Sequence, residues 1–327
     1  LILKNLERKM TMRLTDKSAL VTIRKFRSLY LVVFVILLLF QHKSGYAQFQ
    51  DSLVEEPVDK TEYLRILEYY RYDAGMPLDP VFYGEWPWRS PHTLYKLSYL
   101  SAREQRVSSY LAIPKNKKSE KVPVIVLMHG WNLFWGKNED WVLELIPFFT
   151  EQGYAVLAPD HFLFGERKVE GGTGLDEDKG PYYYRDWMTQ SVVDLRRGID
   201  YLLSRDDIDP DRIGIMGGSM GGWIGSILMA VDPRIKTSIL TVPATEMMTG
   251  QTPPARVINT TNFVPHYTDI SLLMILAEQD REDRNTRAKH LFEKVPVKKK
   301  LFVYDGPHYL KPEIYIDDIL AWLSEQL

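Results

Sequence analysis

The chain has 327 residues, 45% of them hydrophobic, with 41 Lys and Arg against 43 Asp and Glu, a formal net charge of −2. That length and apolar fraction are enough for one large globular domain with a well-filled core. The absence of cysteine excludes disulfides and thiolate metal sites and suits an oxidising compartment.

The first 47 residues read as a targeting segment. Arg24, Lys25 and Arg27 precede a twelve-residue apolar run, 29–40, and Gly45, Tyr46 and Ala47 follow it. A basic stretch, a short apolar run and small residues before a cut make a secretory signal peptide. The pattern predicts an exported protein, periplasmic or secreted, with no stable membrane insertion after cleavage. An uncleaved anchor is the alternative, although the run falls short of the about 20 residues that span a bilayer. Residues 1–11 read as translated upstream sequence, with Met10 or Met12 as the start. Residues 1–47 hold nine Lys or Arg and two Asp or Glu, so the remainder carries 32 basic and 41 acidic residues, a net charge near −9. Such an acidic surface makes nucleic acid and anionic lipid poor partners.

Residues 48–93 read as an N-terminal extension packed on the main domain, with a short amphipathic helix over 61–72 and then a loop rich in Pro, Trp and Gly. The main domain is expected over 94–327. Segments 95–101 and 106–113 alternate polar and apolar residues, which predicts an antiparallel hairpin. A strongly apolar strand over 122–128 ends in His129-Gly130-Trp131, and a second over 153–159 ends at Asp160. Residues 169–184, glycine-rich and acidic, read as a mobile insertion. Over 186–204, Val192, Leu195, Ile199 and Leu202 recur at spacings of three and four, as in a helix packed on one face of a sheet. A strand over 212–216 runs into Gly217-Gly218-Ser219-Met220-Gly221, and a small-residue helix over 222–230 follows. Strands are expected at 237–242, 271–277 and 300–304, and residues 243–268, with four prolines, read as an irregular lid. Alternating strands and helices predict an α/β fold: a mostly parallel, doubly wound sheet of about eight strands with helices on both faces.

The G-x-S-x-G run between a strand and a helix marks Ser219 as a candidate nucleophile. A serine on so sharp a turn is pushed out at the carboxyl edge of the sheet, and only glycines tolerate the close approach of helix to strand. A serine hydroxyl attacks well only when an imidazole takes its proton and a carboxylate sets that imidazole's tautomer. Asp280 stands just past the strand 271–277, and His308 lies on the loop after the strand 300–304. Asp283 and Glu246 are the alternative acids. The order Ser, Asp, His is that of the α/β-hydrolases. A tetrahedral intermediate also needs donors for its oxyanion, and the amide of Met220, opening the helix after Ser219, is one.

From about residue 94 to 327 the chain resembles an α/β-hydrolase of the dienelactone hydrolase and acetyl xylan esterase type. The resemblance rests on His129-Gly130-Trp131, the segment 153–160, residues 209–214 leading into the elbow, and residues 232–235 after its helix. It implies ester hydrolysis without a cofactor or metal, through Ser219, Asp280 and His308, with the Trp131 amide as second oxyanion donor. Dienelactone hydrolases proper use a cysteine nucleophile, so the lack of cysteine favours a serine-esterase branch.

Aromatic residues carry what substrate information there is. Phe134 and Trp135 lie beyond the His129-Gly130 turn, and Phe162 and Phe164 follow Asp160; together with His129 they are candidate pocket residues, although ordinary packing accounts for them equally well. His129 reads better as a loop-ordering residue than as a second base. The substrate expected is a small-molecule or carbohydrate ester with a short acyl group. Two alternatives stand beside an esterase. One is a peptidase or acylaminoacyl hydrolase related to the prolyl oligopeptidases, against which the short N-terminal region leaves no room for a propeller. The other is a carbohydrate-binding protein with a relic triad.

Overall fold

The structure, a computed structural model, describes residues 55–86, 91–117, 119–132, 134–169, 180–245 and 250–327. The targeting segment 1–47, residues 170–179 of the glycine-rich insertion and the alternative acid Glu246 lie outside the described residues. In chain order the elements are helix α1 (Lys60–Glu68), strands β1 (Val81–Trp86), β2 (His92–Leu100), β3 (Arg106–Pro114) and β4 (Val122–Met128), and helix α2 (Asp140–Glu151). Then come β5 (Ala155–Pro159), α3 (Pro181–Leu203), β6 (Ile208–Gly218), α4 (Met220–Val231) and β7 (Ile235–Thr241). The single-turn helix α5 (Pro253–Arg256), β8 (Ser271–Ala277), α6 (Glu282–Lys294), β9 (Lys299–Tyr304) and α7 (Ile316–Gln326) complete the described chain.

The strands form one sheet in the order β1-β2-β3-β5-β4-β6-β7-β8-β9. From β5 to β9 every pair is parallel, and β1, β2, β3 and β5 pair antiparallel. The mostly parallel, doubly wound sheet expected from the alternation of elements is thus present, with nine described strands in place of about eight. The additional strand is β1, in a stretch that reads as loop. It lies at the sheet edge, pairs only with β2 and carries a register shift between Phe82 and Gly84. Val81, Phe82, Tyr83 and Trp86 favour extended backbone, and pairing with β2 realises that preference despite Gly84.

Alternation along each strand decides the layers. In β4, Val122, Val124, Val126 and Met128 enter one apolar layer, and Ile125 and Leu127 enter the other. The first layer is covered by α3, α4 and α6 through side chains such as Trp187, Val192, Trp223 and Leu291; the second is covered by α2 and α7 through Leu145, Phe149, Ile319 and Leu323. Each fully buried aliphatic side chain contributes about 2 kcal/mol to holding the layers together. Helix α3 begins at Pro181, earlier than the apolar periodicity suggests, because proline at the first helical position needs no amide partner.

Helix α1 starts at an Asp59 cap, whose carboxylate accepts the Glu62 amide at 2.9 Å. It stops at Glu68, short of residue 72. There Tyr70 turns inward and donates to the Val257 carbonyl at 2.7 Å, while the Tyr63 ring stacks on His266. Residues 250–268 are a set of short helical turns beneath α1, with Ile258, Phe263 and Val264 buried in the first layer. Arg287 of α6 braces them by donating to the Thr245 carbonyl and to Asn259. They are not an irregular lid: their apolar side chains have found the core.

The sheet order reverses beside β4, since β5 lies to one side of it and β6 to the other. A crevice opens at such a reversal beyond the carboxyl ends of the strands, where β4 delivers His129-Gly130-Trp131 and β6 delivers Ser219. Among the described residues no helix is long and apolar enough to cross a membrane.

Candidate active site

Ser219 sits at φ +50°, ψ −112°, a left-handed conformation that costs a non-glycine residue on the order of 1–3 kcal/mol. The strain is held by its surroundings: the Ser219 amide donates to the Thr241 carbonyl at 2.9 Å, and its own carbonyl accepts the amides of Trp223 and Ala244. The flanking glycines are required sterically. A β-carbon on Gly217 would stand 2.3 Å from the Gly221 carbonyl oxygen, and one on Gly221 would stand 2.3 Å from that of Met128.

Asp280 lies just past β8 and His308 on the loop after β9. The two loops are tied by the Gln279 amide, which donates to the Gly306 carbonyl at 2.9 Å, and by the Gln279 side chain, which donates to Asp305 at 2.7 Å. This lock brings Nδ1 of His308 to 2.7 Å from Oδ2 of Asp280, and Nε2 of His308 to 3.0 Å from Oγ of Ser219. Nη1 of Arg284 also lies 2.6 Å from Nδ1 of His308; a guanidinium only donates, so the tautomer that suits catalysis is the one in which Nδ1 donates to the Asp280 carboxylate and Nε2 accepts from the serine hydroxyl. The Asp280 side chain is only 2% exposed and also accepts the Arg281 amide at 2.7 Å and Nη1 of Arg284 at 3.3 Å. The alternative acid Asp283 instead lies on α6 and pairs with Arg281.

The loop after β4 is built around His129, which is fully buried. Its Nε2 accepts the His161 amide at 3.1 Å, so the proton resides on Nδ1, which donates to the Gly130 carbonyl at 2.7 Å. Burial takes its pKa down to about 4 and keeps the ring neutral. The Gly130 carbonyl also accepts the Asn132 amide at 3.0 Å. Because the peptide group is planar, these two bonds hold the carbonyl end of the unit whose N–H belongs to Trp131.

A cavity of about 250 Å³ opens over Ser219 and His308, walled by Gly130, Trp131, Glu139, Trp141, Tyr309 and Tyr315 among others. None of the five candidate pocket residues lines it. His129 and Phe164 are fully buried, their rings in contact with each other, and Phe162 packs against the first layer. Phe134 and Trp135 are 67% and 61% exposed, on the same loop as the 43%-exposed Trp131. The wall residues that sequence reasoning missed were of two kinds. Tyr309 directly follows His308 and was findable by position. Trp141 and Tyr315, whose indole N–H and hydroxyl meet at 2.7 Å, are 174 residues apart and left no local signal. Burial, and then the charges of Glu144, Glu139 and Asp140 nearby, raise the pKa of the wall residue Tyr309.

The sheet order, the strained serine after β6 and the acid and histidine after β8 and β9 define an α/β-hydrolase. A solved acetyl xylan esterase from Paenibacillus sp. superposes with a TM-score of 0.63 at 19% identity, covering 86% of this chain and 99% of that one. The model of the acetyl xylan esterase (AXE1) family matches residues 88–283, and the chain belongs to that family. Among curated relatives, YtaP of Bacillus subtilis, named as a hydrolase, is 28% identical over 144 residues, 41% of this chain and 48% of its own length. Acetyl esterase Axe7A of Xylanibacter ruminicola is 29% identical over 171 residues, 48% of this chain and 37% of its own. The matched part thus spans about half or less of these relatives.

Proposed function

We propose that the protein is an exported serine carboxylic-ester hydrolase that removes short acyl groups, acetyl above all, from carbohydrate or aryl alcohols. The observation that carries this reading is the position of His308, within hydrogen-bond reach of both Ser219 and Asp280. Ser219 Oγ attacks the ester carbonyl carbon as its proton passes to Nε2 of His308. The bond to the alcohol oxygen then breaks as His308 returns the proton to that oxygen, leaving an acyl-enzyme. Water, deprotonated by His308 in the same way, releases the acid and restores Ser219. Asp280 holds the imidazole tautomer and stabilises the imidazolium. The amides of Met220 and Trp131 meet the oxyanion, each contributing about 3 kcal/mol.

The acetyl preference is supported by the family and by the modest cavity, and the carbohydrate or aryl alcohol by the exposed rings of Trp131, Phe134 and Trp135, which offer stacking faces. Export rests on the charge and hydropathy pattern of residues 1–47. The test is labelling by a fluorophosphonate, with turnover measured on acetylated xylan, p-nitrophenyl acetate, feruloyl esters and peptide amides. Ser219→Ala should abolish both labelling and ester turnover, the latter by at least about a thousandfold. Continued labelling at another serine would move the nucleophile, and faster cleavage of amides than of esters would favour the peptidase reading.

A further inference from the structure

Glu139 is the one carboxylate among the described residues that line the cavity. It stands at the cap position of α2, where an acidic side chain ordinarily accepts amides of the helix's first turn, yet it makes no such cap bond. Its Oε2 instead accepts the amide of Gly130 at 2.8 Å. The carboxyl is half-buried beside the oxyanion loop. Burial raises its pKa, opposed by the Gly130 hydrogen bond.

The consequence is geometric. The His129–Gly130 peptide is held through its N–H by Glu139, and the following Gly130–Trp131 peptide through its carbonyl by His129 and the Asn132 amide. Two consecutive planar units clamped at opposite polar groups leave no free rotation at Gly130, the residue with the widest backbone freedom. Without Glu139, one of the two clamps is gone and the glycine can swing the next amide. A charge-assisted bond to a backbone amide is roughly twice as strong as a neutral one, so the hold is firm even at the edge of the cavity.

We propose that Glu139 is a positioning residue that keeps the Trp131 amide aimed at the oxyanion by holding the Gly130 amide. The proposal rests on the esterase reading above. Three variants separate acceptor from charge and from packing: Glu139→Gln keeps an acceptor without charge, Glu139→Met keeps length without an acceptor, and Glu139→Ala removes both. The readouts are kcat and KM on p-nitrophenyl acetate, and thermal unfolding.

Glu139→Ala and Glu139→Met should lower kcat about 10- to 100-fold, somewhat less than deletion of an oxyanion donor, with KM within about threefold. Glu139→Gln should restore kcat to within about threefold of wild type. If Glu139→Ala fails to fold, the Gln and Met pair carries the comparison. Undiminished kcat in the Met variant, loss in KM alone, or a Gln variant as slow as Met would overturn the role. Loss of wild-type turnover on Ser219→Ala tests the underlying reading separately. If the wild type does not turn over, or Ser219→Ala stays active, both fall; if only the Glu139 variants behave like wild type, the positioning role falls alone.

Discussion

Nζ of Lys137 lies 2.6 Å from Oδ2 of Asp160, and neither side chain is reached by solvent. Asp160 also accepts the amides of Lys137 at 2.8 Å and Glu166 at 3.1 Å. The pair therefore pins the loop after β4, which carries Trp131, to the loop after β5. Without Asp160 the buried Lys137 ammonium keeps only the partly exposed Glu166 at 3.1 Å as a charged partner, so the cost should approach the about 3–5 kcal/mol of breaking a buried pair from one side. Asp160→Ala should lower stability by about that amount in guanidinium unfolding. The double variant Lys137→Met/Asp160→Ala should lose less than the sum of the singles. Strict additivity, or a single-variant loss under about 1 kcal/mol, would contradict this account.

Asp280 and Asp283 differ by three residues and by environment. Asp280→Asn should reduce turnover by about a thousandfold or more, because the imidazole loses the acceptor that sets its tautomer. Asp283→Asn, which removes a largely exposed pair with Arg281, should leave turnover within about threefold. Steady-state kinetics of the two variants decides between them, and the reverse ranking would move the acid.

Gly221 touches backbone from another element, so there is no flexible neighbour to give way. Its missing β-carbon would meet the Met128 carbonyl oxygen at 2.3 Å and that of His129 at 2.7 Å. Gly221→Ala should push α4 from β4, costing about 1–3 kcal/mol and more than about tenfold in kcat. Gly180→Ala, where nothing lies within 4 Å, is the control: kcat should not change, and stability should fall by no more than about 1 kcal/mol, the loss of glycine at the cap of α3. Thermal unfolding with kinetics on both proteins reads the contrast.

Acid should weaken the fold before ordinary carboxylates titrate. His129 titrates at about 4 in the folded protein, because of burial, against about 6.5 unfolded. Between those pH values the unfolded chain binds the proton and the folded one does not, so stability falls as pH drops through 6.5 and the loss is complete near 4. His161, also buried and lowered, acts with the same sign. The His129 contribution alone is about 3 kcal/mol. Denaturant midpoints measured from pH 7.5 to 4.5 should decline steadily, and a flat profile would refute the burial of these rings.

A cavity of this size should limit acyl chain length. Along p-nitrophenyl esters from acetate to palmitate, kcat/KM should be greatest at two to four carbons, since a space of about 250 Å³ falls just below the smallest ordinary ligand sites. A maximum at eight carbons or beyond would sink the short-acyl reading and imply a longer channel.

By itself the sequence determined the features that depend on neighbours along the chain. Period-two and period-three-to-four patterns predicted the hairpin of β2 and β3, the core strands and α3. The glycines around Ser219 announced a turn that no other residue could occupy, and strand ends located Asp280 and His308 at one edge of the sheet. Only the tertiary structure decided what those neighbours meet. It made β1 a strand by pairing, drew residues 250–268 into the core beneath α1, and buried His129 and Phe164 where a pocket was expected. It walled the cavity with Trp141 and Tyr315 and turned the Glu139 carboxylate from its own helix to the Gly130 amide. Local backbone preference follows from each residue and its near neighbours, but burial and hydrogen-bond partners are settled by elements far apart in the chain, and the cavity does not exist until they pack.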